Sequence, residues 1–142
     1  MKIIIFIVAF AFFACNTSAD KNAEIVKNAE LAMYKDSEMA LLMREMYIFN
    51  EKTKEKIINK EELGEFPKNF LNIHSAILTD PTDRNSNFDA LSKGFITNQQ
   101  ALFSASSKAT KEQFNIMVNS CVACHKTTCI GPIPKIEKLL IP

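Results

Sequence analysis

Residues 20–60 contain neither proline nor glycine, and this long uninterrupted stretch strongly limits what the chain can fold into. Apolar residues recur there at steps of three and four, the spacing that gives an α-helix one apolar face. Proline and glycine are the residues that most often end or bend a helix. The stretch is therefore predicted to form one long helix or two joined helices.

Turn-forming residues divide the next part of the chain. Pro67 suits the first turn of a short second helix, which is predicted to run to about residue 77. Aspartate, asparagine, serine and proline crowd the segment 79–87. Because these residues favour turns, the segment is predicted to be a loop.

Two further helices are predicted after this loop. The first covers about residues 88–106, with Ser86 or Asn87 as its cap. The second starts near Thr110 and carries an apolar face that includes Cys121. Beyond it, the apolar residues of 136–141 are expected to pack back on the helices, so the whole chain is predicted to be all-α, a four-helix bundle.

Composition agrees with helices and excludes one class of partner. Hydrophobic residues make up 47% of the chain, enough for a core, and there are only 3 glycines and no tryptophan. The formal net charge is +1, and the phenylalanines lie in apolar runs rather than among basic residues. A basic patch or a base-stacking platform is therefore not apparent, and we do not expect nucleic-acid binding.

Residues 1–14 have a short positive start and an apolar run too short for a typical membrane-spanning helix. They are predicted to be an export signal. Cys15 follows directly after Ala14, and this junction resembles the lipobox of bacterial lipoproteins. The resemblance implies cleavage before Cys15, lipidation of its thiol, a tether over 15–21 and a folded domain over 22–142, on the periplasmic side of a bacterial membrane. Ordinary secretion without a lipid is the alternative.

The string Cys121-Val122-Ala123-Cys124-His125 is the attachment signature for haem c. Two cysteines three residues apart lie one helical turn apart, so both thiols can join the vinyl groups of one haem. The adjoining histidine can then ligate the iron as the proximal ligand. One covalent haem c per chain is predicted near the end of the fourth helix. A zinc site that also uses Cys129 and a dithiol redox site are the alternatives.

With this motif late in the fourth helix, the chain resembles the four-helix-bundle class of c-type cytochromes, the cytochrome c prime family and its low-spin, methionine-ligated branch. The resemblance covers roughly residues 20–130. Its second part is the run Leu41-Leu42-Met43-Arg44-Glu45-Met46, where the family places the residue that faces the distal side of the iron. The resemblance implies His125 as proximal ligand and possible homodimers through the first helices.

By position, Met43 is the distal residue that the resemblance implies, and in the low-spin branch a methionine there gives His/Met coordination. Met46 and Met39 are alternatives, because they lie about one turn away on the same helix face. His74 or an open coordination site are two further alternatives. The three methionines could also be simple core packing, since methionine fills irregular gaps.

Cys129 is expected to be a small buried residue near the haem, with an exposed redox-active thiol or an intermolecular disulfide as the alternative. A methionine sixth ligand raises the reduction potential and fills the coordination site. We therefore expect an electron carrier that serves redox partner proteins, not an enzyme. A five-coordinate cytochrome that binds nitric oxide or carbon monoxide is the alternative. A peroxidase is disfavoured because Arg44 and Glu45 should point away from the Met43 face.

Overall fold

The computed structural model describes residues 35–104 and 111–142, and every regular element in these ranges is helical. The α-helices are α1, Glu38–Asn59; α2, Ser86–Ser104; α3, Lys111–His125; and the single turn α4, Ile133–Ile136. Three 3₁₀ helices cover Lys68–His74, Pro81–Asp83 and Glu137–Leu139. The prediction of an all-α chain is confirmed for this part of the sequence.

Helix α1 begins at Glu38 because Ser37 caps it. The Ser37 hydroxyl accepts a hydrogen bond from the Ala40 amide at 3.1 Å, which satisfies one of the free N–H groups of the first turn. Residues 35–37 are not helical, so a single helix over 20–60 is wrong. The part of that stretch before Lys35 lies outside the described residues. The helix ends at Asn59, and the left-handed backbone of the next residue, Lys60 (φ 59°), turns the chain away.

The predicted second helix is a 3₁₀ helix of 7 residues, Lys68–His74, and it is shorter than the sequence indicates. Pro67 precedes it instead of lying within its first turn. At its end the Arg84 guanidinium donates two hydrogen bonds, one to the His74 carbonyl at 2.8 Å and one to the Ala76 carbonyl at 2.6 Å. These carbonyls are thus satisfied by a side chain instead of by a further helical turn.

Helix α2 starts at Ser86, and its cap is Asn85 instead of Ser86 or Asn87. The Asn85 side-chain oxygen accepts hydrogen bonds from the Asn87 and Phe88 amides, both at 3.1 Å. Asparagine is as good a cap as serine, so the local sequence leaves the choice among neighbours open. The predicted end of this helix at 106 and the predicted start of the next at Thr110 lie outside the described residues.

Helices α2 and α3 pack along each other, and α1 lies against both the 3₁₀ helix Lys68–His74 and the C-terminal segment. The buried apolar side chains come from every one of these elements, so they form one continuous core. Its fully or nearly fully buried members are Phe70, Ile73, Leu102, Phe114, Met117, Val118 and Leu139. A polar pair also lies inside: Gln99 Nε2 donates to Asn50 Oδ1 at 3.0 Å.

The C-terminal apolar segment packs back on the helices, as the sequence predicts. Ile136 and Leu139 are buried. Asn115 of α3 fixes the end of the segment with two bonds of 2.9 Å, one donated to the Ile141 carbonyl and one accepted from the Ile141 amide. Within the described ranges, none of the helices combines the length and the apolar character that crossing a bilayer requires.

Candidate functional site

The last turn of α3 brings together the three residues of the C-x-x-C-H motif. Cys121 and Cys124 are separated by one helical turn, and His125 is the final helical residue. The side chain of Thr127 holds this end in place by donating to the Cys124 carbonyl at 2.8 Å. The motif therefore lies on a helix terminus, where its side chains are less enclosed than in the middle of the core.

Both motif cysteines are free thiols among the described residues, and neither is fully exposed. Cys121 packs against the core, and burial, reinforced by the neighbouring Cys124, raises the pKa of its thiol to about 12. Burial also raises the pKa of Cys124. Two unpaired thiols one helical turn apart have the spacing that two thioether bonds to a single flat ligand require.

A backbone carbonyl orients the imidazole of His125. Its Nδ1 lies 2.8 Å from the Cys129 carbonyl oxygen. Because a carbonyl can only accept a hydrogen bond, Nδ1 carries the proton and donates, so the lone pair of the neutral ring is on Nε2. A hydrogen bond from the second nitrogen to a carbonyl is the usual device that fixes the tautomer of a metal-binding histidine.

These residues fit haem c on the chemistry of the donor set. Two thiols one turn apart can hold the porphyrin edge, and a neutral imidazole with a free Nε2 can ligate iron. A zinc site would need three or four converging ligands. Within residues 35–104 and 111–142, no three histidine, cysteine, aspartate or glutamate side chains are grouped to hold a metal ion, so Cys129 does not complete such a set.

Cys129 is exposed, and the expectation of a small buried residue is wrong. The reason is the turn after α3, which brings the Cys129 carbonyl to the His125 ring and leaves the Cys129 side chain at the surface. This carbonyl was missed by the sequence analysis, because a backbone atom carries no sequence signature. The one available signal is Gly131-Pro132, which begins two residues later and indicates a tight turn near this point.

The three methionines of α1 have different surroundings. Met39 and Met46 belong to the buried core, with 7% and 5% of their surface exposed. Met43 is only partly buried and lies at the margin of that core. The side chains of Met39 and Met46 are therefore packed inside the core, whereas the side chain of Met43 lies at the boundary between core and solvent.

Contacts with the C-terminal segment show which end of the domain Met43 occupies. The Lys135 ammonium lies 4.2 Å from the centre of the Tyr47 ring, and Lys54 Nζ donates to the Leu140 carbonyl at 2.9 Å. The segment therefore follows α1 in the same direction. Met43 is one turn before Tyr47, about 6 Å further back along the axis. Met43 accordingly lies on the side of Tyr47 away from Lys54, the direction in which the segment leads back toward His125.

The remaining candidate side chains lie on the surface. His74 is exposed, and its Nδ1 is 3.4 Å from the Ser92 hydroxyl. Arg44 is exposed and binds the Asp36 carboxylate through both terminal nitrogens. Glu45, also exposed, accepts a hydrogen bond from Asn69 Nδ2 at 2.7 Å. The structure does not assemble these groups around His125.

A groove of about 520 Å³ lies between α1 and the 3₁₀ helix Lys68–His74. Glu38, Leu41 and Asn69 are among the residues that line it, and no residue of the C-x-x-C-H motif does. The groove is therefore separate from the candidate site. Cys15, the proposed lipidation site, and the predicted signal peptide lie outside the described residues.

Comparison with known proteins adds no relative to this description. No family model matches the chain, and neither the curated proteins nor the solved structures contain a match to it.

Proposed function

We propose that this chain is a mono-haem c-type cytochrome that carries electrons. The observation that carries the proposal is the 2.8 Å hydrogen bond between His125 Nδ1 and the Cys129 carbonyl, which leaves Nε2 free directly after a C-x-x-C pair. In this proposal Cys121 and Cys124 form the two thioether bonds, and His125 is the proximal iron ligand. No catalytic residue is assigned.

Haem c supplies a one-electron iron couple when it is bound. The residues of this chain would hold and tune it. The Cys129 carbonyl keeps the His125 ring in one tautomer and one orientation, and the thiols at the margin of the core would anchor the porphyrin. Because the motif lies at a helix end, a haem held there would be able to exchange electrons with a partner by outer-sphere transfer.

Met43 is the proposed sixth ligand. Support comes from the position of Met43 at the margin of the core, on the side of Tyr47 away from Lys54, and from the burial of Met39 and Met46 in the core. Methionine ligation would raise the reduction potential and close the coordination site to small gases. Electron transfer would then be favoured over gas binding.

The type of helical bundle, the export of the chain and its lipid anchor are proposed from the sequence. We propose a cytochrome of the four-helix-bundle kind, exported by the signal over 1–14 and anchored by a lipid on Cys15 to the periplasmic side of a bacterial membrane. Haem c is attached outside the cytoplasm, so an export signal is what a C-x-x-C-H chain requires. A Cys15→Ser variant should move from the membrane to the soluble fraction, and unchanged membrane fractionation would contradict the anchor.

Covalent haem is the first test. The protein should be produced together with a haem c maturation system and stained for haem on a denaturing gel. Wild-type protein and a Cys129→Ser control should stain, whereas a Cys121→Ser/Cys124→Ser variant should not. Haem that survives denaturation in the double variant, or no staining of the wild-type protein, would overturn the motif assignment.

The absorption spectrum then separates carrier from gas binder. A low-spin spectrum with the weak long-wavelength sulfur-to-iron band, unchanged by carbon monoxide, supports His/Met ligation. A high-spin spectrum that shifts with carbon monoxide would reject the electron carrier and support the five-coordinate gas-binding cytochrome.

A further inference from the structure

A hydrogen bond inside the core joins two buried amide side chains on different helices. Asn50 of α1 and Gln99 of α2 have 2% and 0% of their surface exposed, and Gln99 Nε2 donates to Asn50 Oδ1 at 3.0 Å. Gln99 Oε1 is buried as well, and among the described residues it has no hydrogen-bond partner. Burying amides with one oxygen unpaired costs free energy that apolar side chains of the same size would not cost. Stability therefore does not explain this pair.

Thr53, another buried polar residue of α1, shows what is particular about the pair. Its hydroxyl donates to the Phe49 carbonyl at 3.0 Å, so the bond stays within one helix and moves with that helix. The bond between Asn50 and Gln99 joins two helices instead. Buried polar pairs of this kind fix the register of packed helices, that is, their relative position along the helix axis.

Helices α1 and α2 both start beside the same short stretch of chain. The Met39 amide in the first turn of α1 donates to the Ile77 carbonyl at 3.0 Å. The Arg84 guanidinium, which donates to the Ala76 carbonyl at 2.6 Å, lies 5.1 Å from the centre of the Phe88 ring in the first turn of α2. The two helix starts are therefore at one end of the domain.

From this end the two helices advance equally to the polar pair. Met39 to Asn50 and Phe88 to Gln99 are each eleven residues, a rise of about 16 Å in both helices. Two helices that start together and meet again after the same rise run in the same direction. The hydrogen bond between the amides thus lies deep in the bundle and reports directly on the register of α1 against α2.

This register decides which methionine is nearest to the haem motif. Met39, Met43 and Met46 follow one another on α1 at intervals of about one turn. A shift of α1 by one turn, about 5.4 Å, would therefore bring a neighbouring thioether to the place of Met43. The C-x-x-C-H motif is on α3, which packs along α2. The bond between Asn50 and Gln99 accordingly connects the helix of the methionines to the helix pair that carries the motif.

We propose that Asn50 and Gln99 are positioning residues, whose hydrogen bond holds α1 in the register that presents Met43 to the iron instead of a neighbouring methionine. This inference rests on the proposed function and deepens it, because it names what selects the sixth ligand. The apolar contacts of α1 select less strictly, since methionine side chains adapt their shape to a shifted neighbour.

Surface bonds of α1 constrain its register less than the buried pair does. The Glu38 carboxylate accepts from the Ile77 amide at 3.0 Å, and Glu45 accepts from Asn69 Nδ2 at 2.7 Å. Both bonds are exposed, so water replaces them at little cost when the helix moves. Water does not reach the buried amides, and a shifted α1 would leave both of them without their partner.

The test is proton NMR of reduced, haem-loaded protein, in which the methyl group of a ligating methionine resonates far upfield because it lies over the porphyrin. Wild-type protein should give one such resonance, and Met43→Ala should abolish it. The variant Asn50→Leu/Gln99→Met, which keeps side-chain size, should fold and give a second upfield methyl resonance. Adding Met39→Ala or Met46→Ala should then remove that second resonance.

Controls separate positioning from a structural role. Thr53→Val removes a buried hydroxyl of α1 but no bond between helices, and it should keep the single resonance. The exchanged pair Asn50→Gln/Gln99→Asn keeps an amide on each helix and should restore the single resonance. Gln99→Met alone is a milder change that should also give the second resonance. A variant without the pair that loses stability but keeps only the Met43 resonance would overturn the proposal.

Failure of the proposed function has a different signature, because the wild-type protein would then lack covalent haem or any upfield methyl resonance. The register is in that case measured on the same proteins through the rings of Phe49 and Phe103, whose centres are 5.7 Å apart across α1 and α2. Nuclear Overhauser effects between these rings should weaken in Asn50→Leu/Gln99→Met and stay unchanged in Thr53→Val. Unchanged effects in both variants would overturn the register role.

Discussion

Met43 and Met46 lie three residues apart on α1, yet their different burial predicts different roles. Met46→Ala should lower the free energy of unfolding by about 2–5 kcal/mol, because it leaves a cavity in the core. Met43→Ala should cost less stability but abolish the sulfur-to-iron band and lower the reduction potential. Chemical denaturation and redox titration of the two haem-loaded variants measure both effects. A Met43→Ala variant with wild-type potential and spin state would remove Met43 from the ligand role.

Single residues also show what the sequence can and cannot predict. The cysteines and the histidine of the motif are readable because their chemistry depends on spacing along the chain. The burial of the polar pair Asn50 and Gln99 cannot be predicted in this way. A polar side chain is buried when it has a hydrogen-bond partner, and here that partner lies on another helix. The Cys129 carbonyl is also not predictable, because a backbone atom has no side-chain type that marks it in the sequence.

At the scale of elements, the start of α1 depends on the Ser37 cap. Ser37→Ala should lower the free energy of unfolding by about 1 kcal/mol, because the Ala40 amide loses its acceptor. The hydroxyl also pairs with Thr79 Oγ1 at 2.9 Å, so the change would loosen the loop before α2. Thermal unfolding measures the loss. Ser37→Asp keeps a capping oxygen and should stay near wild type, and equal losses in the two variants would contradict the cap.

The same helix start carries a pH-dependent contribution. The Arg44 guanidinium, hydrogen-bonded to Asp36, holds the pKa of that carboxyl below its usual value. The folded protein therefore binds this proton less tightly than the unfolded chain. The contribution is present above the unfolded pKa of about 4 and is lost as the pH falls through the folded pKa. Asp36→Asn should lower the melting temperature at neutral pH, and the difference from wild type should shrink in acid. A constant difference would contradict this linkage.

Helix types were predictable from sequence to a greater extent than helix boundaries. The two long helices after the loop lie where the three- and four-residue spacing puts them. The second predicted helix is a 3₁₀ helix that ends at His74, and Arg84, ten residues further on, binds the His74 carbonyl and the Ala76 carbonyl just beyond it. A boundary decided by a distant side chain cannot be derived from local pattern.

At the scale of the whole molecule, Asn115 joins the C-terminal segment to α3. Asn115→Ala removes both bonds to Ile141 and should lower the free energy of unfolding by about 1–3 kcal/mol. Asn119→Ala, one turn further along α3 and exposed, is the matched control and should be near neutral. Denaturant unfolding compares the two. Equal stability of both variants would mean that the segment is held by apolar packing alone.

The contacts of Arg84 have a consequence for local opening. Its guanidinium holds two carbonyls at the end of the 3₁₀ helix and also lies 5.1 Å from the centre of the Phe88 ring in α2. The end of the 3₁₀ helix and the first turn of α2 are therefore both held by the same side chain, Arg84. Amide hydrogens of residues 70–76 and of the first turn of α2 should exchange with solvent with one common free energy of opening, because opening this cooperative unit breaks the contacts of Arg84 with both parts.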